Sequence, residues 1–344
     1  MSHIEGGCTR RSALFVGFAP WRHALPRWFP EYHCTVTSRN PIALVLSGWL
    51  LRLPFLRPVV HVWGFKYPLL LKTYCRLFAI PFCHVEDGFV RSVALGADGA
   101  MPAALVVDFR TPYFDARSAS DLETLLSTYE FTKDPALIVR ARRAMDMLLE
   151  YRVSKYNLGA ERRAEEVYGP KTKRRVLVIG QVEGDASIRY GCALPRSNND
   201  LVRLAVRENP DAEVIYKPHP DVLYGKRPAR SSPTEVAHLC RVLTEDISPS
   251  TALNTIDHVY TMTSLMGFEA LMVGKKVTCC GMPFYAGWGL TDDRQANSRR
   301  KRRLSLAEVF AGAYLLYARY FDPQSGTPND LETVIARLAE TRDR

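Results

Sequence analysis

Arg174-Arg175-Val176-Leu177-Val178-Ile179-Gly180-Gln181-Val182-Glu183-Gly184-Asp185 decides how the rest of the chain is read. Four consecutive apolar residues between two arginines and a glycine loop describe a strand covered on both faces, as in a parallel sheet. The same unit recurs downstream. A helix is expected over 200–208, a strand over 212–216, a helix over 233–244, a strand over 258–261, a helix over 264–273 and a strand over 276–280. Strands alternating with helices imply an α/β sheet with right-handed crossovers. Ligands of such sheets bind beyond the carboxyl ends of the strands, where the polar motifs of this half fall.

Upstream, strands are expected at 13–18, 59–64, 81–85 and 105–108, and helices at 69–78, from Ser120 onward and at 135–151. The polar stretch 155–175, with Gly159, Gly169 and Pro170, reads as a linker. The fold class predicted is therefore α/β with two Rossmann-like domains and a cleft between them. Residues 1–160 form the first, 161–325 the second, and 326–344 a helix that packs back on the first. The most apolar segment, 41–60, is interrupted by Arg52, Arg57 and three prolines. It falls short of the ~20 apolar residues that span a bilayer and reads as a buried helix followed by a strand.

Hydrophobic residues at 47% and charged residues at 24% fit a globular chain and exclude disorder. A net charge of +10 points to an anionic partner, such as a phosphorylated substrate or an acidic membrane surface. Nucleic acid is disfavoured, since neither zinc-finger spacing nor an RRM-type aromatic signature occurs. The densest basic run, Arg299 to Arg303, reads either as a solvated loop or as a contact with anionic lipid or nucleotide. The eight cysteines include no C-x-x-C pair, which suits a reducing cytoplasm, and no signal-peptide pattern occupies the first ten residues.

Glu86-Asp87-Gly88 follows a strand. Adjacent carboxylates repel, which raises one pKa and prepares a group for proton exchange near neutrality, although a capped turn explains the pair equally. Lys217-Pro218-His219-Pro220 stiffens a cation and an imidazole between prolines, an arrangement suited to a phosphate. Thr261-Met262-Thr263-Ser264 opens a helix, where hydroxyls either cap free N–H groups or join them in binding phosphate, with Glu269 further along facing a ribose or solvent. Gln181 and Asp185 lie in the loop after the first strand of the second half. Asp185 is a candidate nucleophile or an ordinary helix cap, and Arg189 and Tyr190 beside it are candidates for recognising an acidic sugar. The glycine- and aromatic-rich stretch 281–290 either covers a ligand or closes the core. The chain has neither G-x-x-x-x-G-K-[ST] nor G-x-G-x-x-G, and no D-x-D in a metal-binding context, so neither a metal nor a cofactor is expected.

Together, Glu86-Asp87-Gly88, His219-Pro220 and Thr263-Ser264 are similar to the motif set of two-domain bacterial sialyltransferases. Longer stretches, 85–92, 179–191, 216–221, 260–270, 281–292, 311–317 and 319–323, resemble the KpsC/LipA-type capsule polysaccharide proteins, the β-Kdo transferases. That resemblance covers nearly everything after residue 80. It implies a GT-B arrangement, CMP-β-Kdo as donor, and retention by double displacement onto a glycolipid or oligo-Kdo acceptor at the inner face of the inner membrane, in surface-polysaccharide biosynthesis. Carried over, Asp185 is the nucleophile and Glu86, or Asp87 in its place, the acid/base. His219, Lys217, Pro218, Gln181, Thr263, Ser264 and Glu269 would hold the donor, and Gly88, Arg91, Arg189 and Tyr190 the sugars. Proteins of this type carry two such modules, whereas this chain has one. Two alternatives remain open: an inverting CMP-sialic acid or α-Kdo transferase using Glu86 or Asp87 as general base, and a non-catalytic glycolipid-binding export protein.

Overall fold

The computed structural model describes residues 10–92, 101–155, 157, 161–194, 197–223, 225, 227, 230–245, 247–322 and 325–342. Cys8, Gly159, Pro323 and the opening nine residues lie outside them.

The second sheet contains β6 (Arg175–Ile179), β7 (Glu213–Lys217), β8 (Arg241–Val242), β9 (His258–Thr261), β10 (Lys276–Cys279) and β11 (Asp292–Asp293). Their order is β11-β10-β9-β6-β7-β8, with every pair parallel. β6 is buried along its whole length, as its apolar run predicts. After β8 the chain returns to the other side of β6 to lay down β9. Successive crossovers therefore leave in opposite directions between β6 and β9, which opens a crevice beyond their carboxyl ends. The expected 233–244 helix is a 3-10 turn, Pro233–Val236, followed by β8. There β8 pairs with β7, and Arg241 donates to the carbonyls of Val167 and Tyr168, so tertiary bonds override local helix preference.

The first sheet contains β1 (Arg11–Val16), β2 (Tyr32–Thr37), β3 (Val59–Trp63), β4 (Phe82–Asp87) and β5 (Ala104–Asp108), joined by β12 (Ala318–Phe321) and β13 (Pro328–Asn329). Its order is β13-β12-β5-β4-β3-β1-β2. β2, β1, β3 and β4 run parallel, and β5, β12 and β13 extend the sheet antiparallel. The chain thus rejoins the first sheet at Ala318, earlier than a boundary at 325. The terminal helix Leu331–Arg342 lies against the Pro135–Glu150 helix, where Arg140 grips Glu332 in a two-pronged pair at 2.8 and 2.9 Å.

One face of this sheet packs Phe15 against Leu25, Trp28 and Phe29. The other packs Leu14, Val16, Val60 and Val62 against Leu44, Leu53, Leu71 and Cys75. Those last four belong to the helices Pro41–Leu46, Trp49–Leu56 and Leu69–Leu77. The segment read as one buried helix is therefore two short ones that bury only an inner stripe. Among the described residues no helix is long and apolar enough to cross a membrane.

Candidate functional site

The crevice of the second sheet is built by tight loops. A Cβ on Gly180 would lie 3.0 Å from both the Lys217 carbonyl oxygen and Pro218 Cα, so glycine lets the loops after β6 and β7 touch. Gln181 then stitches the β6 and β9 ends together. Its Oε1 accepts the Thr263 N–H at 2.8 Å, and its Nε2 donates to Thr263 Oγ1 at 3.0 Å. Ser264 caps the Leu265–Met272 helix by accepting the Met266 N–H at 3.2 Å, and Thr261 accepts the Ser264 N–H. Capping therefore engages Thr261 and Ser264, whereas Thr263 is held by an amide side chain.

At the end of β7, Lys217 and Pro218 are buried and His219 is half-buried. His219 Nδ1 accepts the Asp221 N–H at 3.1 Å, which leaves Nε2 as the ring donor. Burial lowers the imidazole pKa, against the opposing pull of Asp221 and Asp185. The Asp185 carboxylate therefore lies within electrostatic range of His219. Asp185 stands at the head of the Ala186–Gly191 helix, yet its side chain makes no capping hydrogen bond. The capping explanation fails, and the carboxylate is uncommitted to its own helix.

Tyr190 is held by ring contacts. Its ring lies 4.4 Å from that of Phe65 and 4.2 Å from the Arg117 guanidinium, bridging to the first half of the chain. Arg189 is exposed beside a cavity of about 580 Å3 that Glu183 and Arg230 also line. Glu183 was not singled out from the sequence. Its Oε1 accepts from Asn198 N–H and Ser231 Oγ, while its buried Oε2 has no partner among the described residues.

On the first sheet, β4 delivers the acidic pair. Asp87 is bound to Arg91 at 2.8 Å, and Arg91 is only 1% exposed. Arg91 therefore cannot reach an acceptor; a buried guanidinium needs its carboxylate, and Arg91 serves Asp87. Gly88 also answers to structure, because a Cβ there would fall 2.5 Å from Ala104 Cβ on β5. Glu86 retains some surface but is closely packed around its carboxyl. Burial, then the Asp87 charge, pushes its carboxyl up to about 7, while Lys155 and Lys66 pull the other way. Gly64, with φ +48°, lies where a side chain would collide with Glu86.

Glu269 of the second lobe is also pushed up to about 7 by burial, against a backbone hydrogen bond and the charge of Lys155. Lys155, in the stretch read as a linker, thus acts electrostatically on Glu86 of one lobe and on Glu269 of the other. No spacing or composition marks it in the sequence.

Three cations of the basic run, Arg299, Arg300 and Arg302, are engaged within the chain, while Lys301 and Arg303 are exposed. Glu123, 4% exposed, holds Arg299 Nε at 2.5 Å and Arg300 Nε at 2.9 Å. Arg300 also donates to the carbonyls of Pro283 and Ala286, and Arg302 to those of Leu126 and Tyr129. The run clamps the two halves of the chain. Likewise Met282, Phe284, Tyr285 and Trp288 are buried, and Phe284 meets Phe89 at 4.7 Å, so the 281–290 stretch closes the core.

Two Rossmann-like lobes with polar strand ends turned to a shared cleft define a GT-B-like protein. The capsule polysaccharide biosynthesis protein family matches residues 63–320, and the chain belongs to that family. It is 46% identical over 327 residues to the lipopolysaccharide-processing protein LpsZ of Rhizobium meliloti, covering 95% of this chain and 74% of LpsZ. It is 43% identical over 265 residues to the capsule polysaccharide modification protein LipA of Neisseria meningitidis serogroup A. That match covers 77% of this chain but only 37% of LipA, so the chain spans little more than a third of that relative. Among solved structures, it is similar to the β-Kdo 2,4 transferase of Thermosulfurimonas dismutans KpsC, with a TM-score of 0.82, 36% identity and coverage of 96% and 98% of the two chains. The β-Kdo 2,7 transferase of the same protein gives a TM-score of 0.74 and 31% identity, with coverage of 96% and 100%.

Proposed function

We propose that this chain is a retaining β-Kdo transferase that takes Kdo from CMP-β-Kdo and adds it to a glycolipid or oligo-Kdo acceptor during capsule or surface-polysaccharide biosynthesis. The observation that carries the reading is its likeness, over 96% of its length, to a β-Kdo 2,4 transferase at 36% identity. The site supports it chemically. In the first displacement an Asp185 oxygen bonds to the anomeric carbon as the bond to the cytidylate phosphate breaks and CMP leaves. In the second, the acceptor oxygen bonds to that carbon, the Asp185 ester breaks, and Glu86 takes the acceptor proton. A carboxyl with a pKa of about 7 exchanges protons readily at neutral pH.

His219 Nε2–H and Lys217 would meet the donor phosphate, together with Thr263 and Ser264 at the head of their helix. Arg189, Gln181 and Glu269 complete the set of donor and sugar contacts. No metal or cofactor is invoked, and the working place is the cytoplasmic face of the inner membrane. The test incubates the purified chain with CMP-β-Kdo and a Kdo-terminated acceptor, follows CMP release and reads the product anomer by NMR. β-Linked product is expected. An α-linked product overturns retention, and binding of donor and acceptor without CMP release overturns the enzyme reading.

A further inference from the structure

From Tyr32 to Val85 the chain contains no aspartate or glutamate, yet it carries Arg39, Arg52, Arg57, Lys66, Lys72 and Arg76. The same stretch supplies the three helices that cover one face of the first sheet. Leu44, Leu53, Leu71 and Cys75 point inward to that sheet. Tyr74 Oη donates to the Leu50 carbonyl and ties the second helix to the third. The opposite side of these helices is apolar as well. Leu46, Leu51, Phe55, Leu69, Leu70 and Leu77 are each at least 76% exposed. Leu51 and Phe55 are four residues apart, and Leu70 and Leu77 seven apart, so each pair shares the outer face of its helix. Arg52, Arg57 and Arg76 are exposed among them.

Scattered surface leucines are ordinary, but three adjacent helices with apolar outer faces, flanking arginines and no acid form a continuous patch. Short helices of this composition lie at a bilayer interface with their apolar side in the acyl boundary and their cations at the headgroups. We propose that the outer face of the 41–46, 49–56 and 69–77 helices docks on an anionic lipid bilayer. The inference extends the reading of a lipid-linked acceptor, and its test is independent of transfer.

The test is co-sedimentation of the whole chain, without donor, on phosphatidylglycerol–phosphatidylcholine vesicles and on pure phosphatidylcholine vesicles. Binding to the anionic vesicles, weakened by salt, is expected. Leu51→Ser with Phe55→Ser should weaken it on the order of 10- to 100-fold through lost apolar burial. Arg52→Glu should weaken it roughly fivefold or more. Both variants should keep the thermal midpoint and transfer to a water-soluble acceptor, since these side chains point away from core and cleft. Absence of binding to anionic vesicles overturns the proposal, as does equal binding by the double variant. So does a dimer in solution that the double variant dissolves, because the patch would then be an interface between copies. Loss of transfer with vesicle binding intact would instead count against the proposed reaction alone.

Discussion

The two lobes hold their acids in opposite settings. Glu86 is closely packed beside Asp87, and its carboxyl is pushed up to about 7. Asp185 is half-exposed, heads a helix it does not cap, and acts electrostatically on the imidazole of His219. A group that exchanges protons gains from burial and a like charge, whereas one that attacks carbon gains from an oxygen committed to nothing else. Pairs of carboxylates with divergent surroundings are how one site separates these roles.

The sharpest way to break the comparison is Asp185→Asn. It should lower transfer by roughly 10⁴-fold or more while leaving CMP binding, measured by calorimetry, unchanged. Substantial transfer would remove the nucleophile. Glu86→Gln should lower transfer by about 10²- to 10⁴-fold. Because Glu86 holds its proton below about 7 and must be free of it to take the acceptor proton, transfer should slow as pH falls through that value, and this limb should vanish in the glutamine variant. A limb that persists there belongs to another group.

Between the lobes, Glu123→Ala would strand Arg300 as a buried unpaired cation. A loss of about 3–5 kcal/mol in urea unfolding is expected. A loss under about 1 kcal/mol would mean that the clamp is replaceable. His219→Ala should weaken donor affinity about tenfold, as expected for one hydrogen bond to a charged phosphate. Unchanged affinity would place the phosphate elsewhere.

The smallest effect concerns stability. The folded carboxyl of Glu86 has a raised pKa, so the stability tied to its proton is complete below the ordinary value of 4.5 and is lost as pH rises toward about 7. The melting advantage of Glu86→Gln over the parent chain should grow across that window and stay level above it. An advantage that does not change with pH would contradict the buried setting of Glu86.

Much of the second lobe could be read directly. β6 is a continuous apolar run because both its faces are covered, and glycine follows it because two loops meet there. By contrast β2, a half-exposed edge strand, and β8, two residues long, carry no pattern distinct from a loop. Site residues divided along similar lines. Asp185, His219 and Glu86 stood at strand ends, where chemistry is expected. Arg91 and Tyr190 stood beside them but were drawn into an ion pair and an aromatic bridge. Lys155 and Glu183 gained their significance from distant partners.

The two basic stretches mark the limit of what a sequence states about charge. Five consecutive cations, Arg299 to Arg303, suggested a surface, but partners from across the chain, Glu123 foremost, draw Arg299, Arg300 and Arg302 into a clamp. Of the sparser cations of residues 39–76, all but Lys72 sit outside, because the inner stripe of each helix is spent on the sheet and no acid lies within the stretch. Periodicity, a local property of neighbouring residues, was enough to determine the α/β class and the parallel second sheet, and strand-end motifs nominated the candidate acids. Which cations are buried, which acid is pushed toward neutrality and which apolar face meets solvent were decided only by tertiary structure. Burial and pairing join residues that are far apart along the chain.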